Sequence, residues 1–316
     1  MNSINIRDPL YGFIELNEIE SKILDSYPFQ RLRFIHQLGT TPFIYPTGIH
    51  TRFEHSLGVM HLATLIYDSV VKNEYNQRIL RDYLQYNNEG IKRDRQIVRF
   101  AALLHDIGHA PFSHASESLM GINLKNKRPY KHEEYTAYII KNVLRECIEK
   151  HPMNKNYKIS ADEIAALIEG DESILESRIF WRVIISSQLD ADRGDYLLRD
   201  SHHIGVAYGI YDYQRLINTI TLGIHPESED VILCVKKGGW HVAEALVIAR
   251  YQMFTQVYFH KTRRAYDYHL QEAMRFILGN SGRLPPLSNI NEYLNWDDWR
   301  VSREIYLHRD DDVNCK

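Results

Sequence analysis

Leu103-Leu104-His105-Asp106-Ile107-Gly108-His109-Ala110-Pro111-Phe112-Ser113-His114 is the stretch on which the reading of this chain turns. An apolar, helix-like run leads into it, and Gly108 and Pro111 stop it. A neutral imidazole beside a carboxylate offers two ligand atoms to one hard or borderline metal ion. Neighbouring helical side chains point about 100° apart, so His105 and Asp106 converge on one ion only near a helix end. Gly108 supplies that end. His109 and His114 follow at once and are available for chemistry rather than coordination. A His-Asp pair alone is common; its weight comes from its company.

Upstream, His50-Thr51-Arg52-Phe53-Glu54-His55-Ser56-Leu57-Gly58 puts Arg52 and His55 on one helix face. His55 can supply a third ligand, and Arg52 offers a planar fork suited to a phosphate. Downstream, Asp192, Asp195, Tyr196, Arg199 and Asp200 form a polar stripe at i, i+3, i+4, i+7 and i+8. Facing a core, such a stripe is costly unless ions or ligands satisfy it. On an isolated helix it would more simply be a solvated face with ion pairs. A lone helical histidine is likewise more often structural. His202-His203, and His132 beside Lys131, also read as surface residues. The order His, His-Asp, Asp, each set in apolar helix beside Arg and His, outweighs those readings.

With 316 residues and 44% hydrophobic content, the chain can bury a sizeable core without staples. A net charge of −3 excludes a globally basic nucleic-acid binder and leaves room for a local basic pocket. Cys147, Cys234 and Cys315 are scattered and odd in number, which fits a reducing compartment and no disulfide framework. The start of the chain lacks the apolar region of a signal peptide, and no run is long enough to span a membrane. A soluble cytoplasmic protein is expected. The 21 tyrosines suit pockets needing a flat apolar face and a hydroxyl.

The fold expected is mainly α. Ile4 to Leu16 reads as two short strands around Asp8-Pro9-Leu10-Tyr11-Gly12, and Asn17–Ser26 and Pro28–Leu38 as helices. Thr51 caps a long helix whose inward face holds Phe53, Leu57, Met60, Thr64 and Tyr67. Lys72 to Arg95, charged and rich in Asn, reads as solvated and partly loop. Helices are expected at Gln96–His105, Glu133–Lys150, Ser160–Ile168 and Glu172–Gln188. Ile217–Leu222 and Val231–Val235 pair as a small β element, and Val242–Leu278 is helical with a break near Lys261. This gives one domain over 1–278 and a short C-terminal appendage over 279–316, ending in Asp310-Asp311-Asp312.

Asp8-Pro9-Leu10-Tyr11-Gly12-Phe13-Ile14, Phe29-Gln30-Arg31-Leu32-Arg33, His50 to Gly58, His105 to His114 and Asp192 to His203 resemble the motifs of the HD-domain phosphohydrolases. Within them the chain is most similar to the deoxynucleoside triphosphate triphosphohydrolases, including the SAM-and-HD-domain members and their bacterial relatives. The resemblance is detailed from Asp8 to about Gly205, with a second patch from His260 to Tyr266. It implies an all-helical HD fold with a minor β-hairpin element, and His55, His105, Asp106 and Asp192 as ligands of one divalent ion. Mn, Fe, Ni, Zn and Mg all suit that donor set to differing degrees, with a further Mg on the triphosphate. The implied reaction turns a dNTP into a deoxynucleoside and inorganic tripolyphosphate, by attack at the α-phosphorus and with broad base specificity.

By the same resemblance, His114 and His132 are catalytic, Glu117 orients one of them, and His109 stands beside them. Arg52, Arg193 and Tyr196 match phosphate-holding positions; Gln37, Leu38 and Asp200 match sugar-binding positions; Tyr266 matches a tyrosine that packs on sugar and base. Asp25, Gln30 and Arg33 match a regulatory site for a guanine nucleotide (dGTP or GTP), and a homo-oligomer, dimer or tetramer, is implied. The sequence departs from the pattern in places. Arg193 replaces a lysine, Tyr258 a phosphate-binding arginine and Thr262 a histidine, while Arg263 and Arg264 remain. The chain is shorter than typical relatives, so reduced C-terminal elements are expected. Two other readings compete: another HD phosphohydrolase (a nucleotidase or cyclic-nucleotide phosphodiesterase), and a catalytically silent nucleotide or single-stranded nucleic-acid binder. The intact metal-ligand set argues against the silent binder, and nucleic-acid binding is at most secondary.

Overall fold

A computed structural model describes residues 3–316. Counting α-helices of seven residues or more, the order is α1 (Glu18–Leu24), α2 (Arg52–Lys72), α3 (Glu74–Leu84), α4 (Asn88–Leu104), α5 (His132–Asn142), α6 (Ala161–Glu169), α7 (Ala191–Ile204), α8 (Tyr213–Thr219), α9 (Trp240–Met253), α10 (Lys261–Ile277) and α11 (Asp298–Leu307). Among the described residues three antiparallel hairpins accompany them: β1 (Ile4–Asp8) with β2 (Gly12–Leu16), β3 (Ile122–Asn123) with β4 (Arg128–Pro129), and β5 (Ile220–Ile224) with β6 (Val231–Val235). The fold is mainly α, as expected. Among the described residues, no helix is long and apolar enough to cross a membrane.

Helix α2 is the axis of the fold. Glu54 reaches back to the Thr51 backbone N–H at 3.1 Å and closes the helix start. Phe53, Leu57, Met60, Thr64 and Tyr67 are buried as expected, and so are Val59, Leu62, Ala63 and Ile66, so α2 is covered on nearly every side. It packs against α4 and α7. At Gly58 the approach to α7 leaves no space, and a Cβ there would collide with the Asp195 carboxylate and the Arg199 guanidinium. The polar stripe of α7 faces inward. Arg199 Nε and Nη2 donate to Asp195 at 2.8 and 2.9 Å, and Nη1 donates to Asp8 at 2.9 Å, tying the β1–β2 turn to α7.

Four stretches depart from expectation for identifiable reasons. Lys72–Arg95 is mostly helix, because its asparagines are caps: Asn73 Oδ1 accepts from Tyr75 N at 2.9 Å, and Asn87 Oδ1 from Gly90 N at 2.8 Å. Pro28–Leu38 holds only Tyr27–Gln30 and a 3₁₀ turn, Arg31–Phe34. Arg31 is drawn inward there, Nε to the Trp296 carbonyl and Nη1 to the His109 carbonyl, both at 2.9 Å. Glu172–Gln188 is a short helix followed by a 3₁₀ run, Glu176–Ile184, which carries Trp181 into the core with its indole N–H on Tyr86 Oη at 2.8 Å. Glu133–Lys150 is two helices, since α5 stops at Asn142 and a turn restarts at Arg145.

Residues 279–316 lie against the His105–His114 stretch. Leu284, Tyr293, Trp296 and Val301 form a second buried cluster with Ala110, Phe112, Tyr135, Leu270 and Met274. Asp298 accepts the Phe112 backbone N–H at 2.6 Å, and the Tyr293 hydroxyl donates to the Gly108 carbonyl at 2.7 Å. On its other side Gly108 meets α5 so closely that a Cβ would collide with the His132 and Thr136 backbone.

Two outcomes are expected. Gly108→Ala lowers stability by about 1–3 kcal/mol, the cost of overpacking against backbone that has nowhere to go, and a urea titration checks it. Burial works against the charge on Glu163, but the Ser160 backbone N–H and the Arg93 and Arg178 guanidiniums outweigh it and hold its carboxyl below the usual range. A carboxyl depressed by folding stabilises above its unfolded pKa, about 4.3, and that stabilisation is lost as pH falls through the folded value. The stability gap between wild type and Glu163→Gln therefore narrows on acidification below about pH 4.3 and is constant above it.

Candidate active site

Helix α4 ends at His105, and the chain leaves it with both donors of the His-Asp pair aimed at one point. His105 Nδ1 lies 2.8 Å from the Ala102 carbonyl, so it carries the proton. Its Nε2 is then a lone pair, buried and without a partner, 3.3 Å from Asp106 Oδ1 and 3.7 Å from Asp192 Oδ1. His55 is turned in the same way from α2. Asp195 takes its Nδ1 at 2.8 Å, which leaves Nε2 3.1 Å from Asp192 Oδ1 and 3.6 Å from Asp106 Oδ2. Two imidazole nitrogens and two carboxylates thus gather from α2, the end of α4 and α7. Fixing a histidine by its far nitrogen is how metal-binding imidazoles are oriented.

The electrostatics agree. Burial opposes charge on His55, yet hydrogen bonds to Asp192 and Asp195 outweigh it and push the imidazole up to about 10. Burial also opposes charge on Asp192, and His105 and His55 hold it well below the usual carboxylate range. Carboxylates that hold protons on neighbouring imidazoles make a centre suited to a divalent cation instead. The orphaned His105 nitrogen and the mixed N/O donor set fit such an ion. Arg52 lies over this centre, ion-paired to Asp106 and donating Nε to Ser113 Oγ at 2.8 Å.

Beside it stands a second group. His109 is buried and stacks on His132 with ring centres 3.9 Å apart, and His114 meets both edge-on. Glu117 takes His132 Nδ1 at 2.7 Å and His114 Nδ1 at 3.2 Å. Burial opposes the charge on Glu117, but these two histidines hold its carboxyl far below its ordinary value. Each ring keeps Nε2 for other work. Burial and the Arg52 charge push the His109 imidazole well below its ordinary value, so it stays neutral. Phe112 and Ser113 take left-handed backbone at φ 56° and 58°, strain that clusters at functional sites.

A cleft of about 430 Å³ opens onto both groups, within the range of small-molecule sites. Of the expected residues, Gln37, Leu38, Arg52, His105, Asp106, His109, His114, His132, Asp192, Tyr196 and Asp200 line it. His55 is fully buried behind the wall, and Glu117 stands behind its two histidines. Arg193 does not line the cleft; it is ion-paired with Asp190. Tyr266 stacks on Phe43 at 4.9 Å, also off the wall. Asp25, Gln30 and Arg33 lie outside the cleft as well, with Arg33 Nε on Gln30 Oε1 at 2.8 Å and its guanidinium over the Phe53 ring. The sequence reading missed Arg182, Ser186, Phe254 and Phe259. Arg182 was hidden in a stretch read as an ordinary helix, and only its 3₁₀ geometry brings it to the wall.

Fold and site together bring a His/Asp group that could hold a divalent ion beside a cluster of three histidines, in a cleft lined by arginines. Residues 52–181 match the HD domain, and residues 211–308 match the HD associated region. An uncharacterized protein of Methanocaldococcus jannaschii is 36% identical over 98% of this chain and 58% of its own length. A deoxynucleoside triphosphate triphosphohydrolase SAMHD1 homolog of Dictyostelium discoideum is 31% identical over 85% of this chain and 48% of its own length. The chain thus spans roughly half the length of these curated relatives. A crystal structure of a hypothetical protein from Aquifex aeolicus superposes with a TM-score of 0.78 at 31% identity, over 99% of this chain and 74% of that one. The chain belongs to the HD-domain hydrolase family.

Asp195 also pairs with Arg199 and Tyr11 but reaches the His/Asp donor group through His55, so Asp195→Asn should weaken Mn²⁺ binding about 10–100-fold, whereas His105→Ala and Asp106→Ala should abolish it. Titration calorimetry on the folded variants measures both.

Proposed function

We propose that this chain hydrolyses deoxynucleoside triphosphates to deoxynucleosides and inorganic tripolyphosphate, using one divalent metal ion. The observation that carries the reading is the pairing of two centres in one cleft: the donor set of His55, His105, Asp106 and Asp192, and beside it the Glu117-held His114 and His132. The Dictyostelium relative, a deoxynucleoside triphosphate triphosphohydrolase by name, supports the substrate class.

His55, His105, Asp106 and Asp192 would hold the ion, which when bound polarises a phosphoryl oxygen or lowers the pKa of a water at the α-phosphorus. The remaining work falls to the chain. Arg52, Arg182, Arg263 and Arg264 line the cleft and bring positive charge to a triphosphate. Water attacks the α-phosphorus, the bond to the 5′-oxygen breaks, and that oxygen needs a proton. A histidine held by Glu117 through Nδ1 keeps Nε2 toward the cleft and, when it carries a proton there, can donate it. Gln37, Leu38 and Asp200 then lie against the sugar, and a cleft whose polar groups serve phosphate and sugar leaves the bases largely unread.

The test is a metal-supplemented assay of each dNTP and NTP, with tripolyphosphate and nucleoside measured directly. Equal yields of deoxynucleoside and tripolyphosphate from several dNTPs are expected. Orthophosphate or a monophosphate as product would move the chain to another HD phosphohydrolase activity. His132→Ala should lower kcat about 10²–10⁴-fold, as loss of a general acid does, while leaving the metal content unchanged.

A further inference from the structure

Asp200 has both carboxylate oxygens engaged within the protein. His50 Nε2 lies 2.7 Å from Oδ1, and the Tyr258 hydroxyl donates to Oδ2 at 2.6 Å. His50 and Asp200 are both buried. The two partners come from opposite parts of the chain, His50 from the approach to α2 and Tyr258 from the far side of the cleft. Burial, reinforced by the Asp200 charge, pushes the Tyr258 hydroxyl well above its ordinary value, so it stays a donor.

Local structure explains how Tyr258 arrives there. Helix α9 does not run straight into α10; it widens into a π-helical turn, Phe254–Tyr258, before the chain breaks and restarts at Lys261. A π turn inserts a residue and so rotates everything after it by about 100° relative to a regular helix. Phe254, Tyr258 and Phe259 consequently all reach the cleft wall. Arg263 then pins the turn, with Nη1 on the Tyr258 carbonyl at 2.9 Å, while its own Nε is buried without a hydrogen bond, 4.0 Å from the Asp267 carboxylate. Such an irregular helix at a cleft wall is a frequent mark of function.

We propose that Tyr258 is a positioning residue that, together with His50, locks Asp200 in one orientation and thereby sets which sugar hydroxyl the cleft accepts, favouring deoxyribonucleotides over ribonucleotides. This rests on the dNTP reading above. A carboxylate offers about four lone-pair sites, and the clamp uses two of them. A ligand hydroxyl must then approach Asp200 along the directions that remain. Freed to rotate, the same carboxylate would accept hydroxyls from different sugar positions, and discrimination would fall.

The experiment compares kcat and KM for a dNTP and the matching NTP in wild type, Tyr258→Phe, Asp200→Asn and the double variant. Tyr258→Phe removes one hydrogen bond to a charged group, so the preference for dNTP over NTP should fall about tenfold or more, chiefly through KM. The double variant should discriminate no worse than Asp200→Asn alone, because Tyr258 acts through that carboxylate. His50→Asn loosens the opposite oxygen and should give the same signature, an independent check should Tyr258→Phe fold poorly. An unchanged sugar preference in both clamp variants, or effects of Tyr258 and Asp200 that simply add, overturns the proposal. A wild-type enzyme that turns over no dNTP overturns the functional reading itself, and this outcome is visible before any variant is made.

Discussion

A guanidinium with no access to solvent sits between the first β-turn and α7, and the rest of the structure depends on how it is satisfied. Arg199 is wholly buried, paired through three nitrogens with Asp195 and Asp8. Taking such charges out of water costs several kcal/mol each, and the attraction between them repays that only when the geometry is complete. Completeness here needs the β1–β2 turn, α2 and α7 in place at once. Asp195 also accepts the Tyr11 hydroxyl at 2.9 Å and His55 Nδ1 at 2.8 Å. Gly58 is small because the ion pair occupies the space a side chain would take. The network is therefore a registry device as well as a stabilising one: it sets the rotation of α2 about α7, and with it the direction in which His55 Nε2 points.

The same logic recurs on the other side of the cleft. Glu117 does for His132 and His114 what Asp195 does for His55: one carboxylate set back from the cleft decides which ring nitrogen faces it. Asp200 reverses the arrangement, since here the carboxylate itself lines the cleft while His50 and Tyr258 each hold one of its oxygens. Three carboxylates thus fall into two arrangements, and what separates them is the number and direction of the donors around each.

Much of this was legible in the sequence. The order of His55, His105-Asp106 and Asp192 in apolar helix, read with the family resemblance, pointed to residues that the fold does gather at the end of α4, and the long helix from Thr51 announced itself through a cap and a buried face. The inward turn of the α7 stripe was legible as a question, because periodicity shows that Asp195 and Arg199 share a face without showing which way it points. What remained hidden depended on tertiary contacts. Asn73 and Asn87 look like loop markers until the apolar residues between them find a core. Arg31 ends a helix that local preference would continue, since two distant carbonyls draw it in. The π turn before Tyr258 leaves no signature in spacing, because the run stays helical on both sides of it. Arg193 and Tyr266 matched functional positions in the sequence, yet their partners in the fold are Asp190 and Phe43.

The strained loop between the two centres shows why distant segments belong to the site. Phe112 and Ser113 hold left-handed backbone that a bulky or β-substituted residue adopts only when its surroundings insist. Asp298 supplies part of that insistence, accepting the Phe112 N–H with one oxygen and the His36 N–H, at 2.8 Å, with the other. Ser113 Oγ donates to the His36 carbonyl at 2.6 Å and receives Arg52, which in turn pairs with Asp106. A continuous chain of polar contacts thus runs from α11, through the strained loop, to the carboxylate of the His-Asp pair. Loosening it at Asp298 would let Phe112 relax toward ordinary backbone and carry His114 with it, so α11 acts on the spacing between the His/Asp donor group and the histidine cluster without touching either.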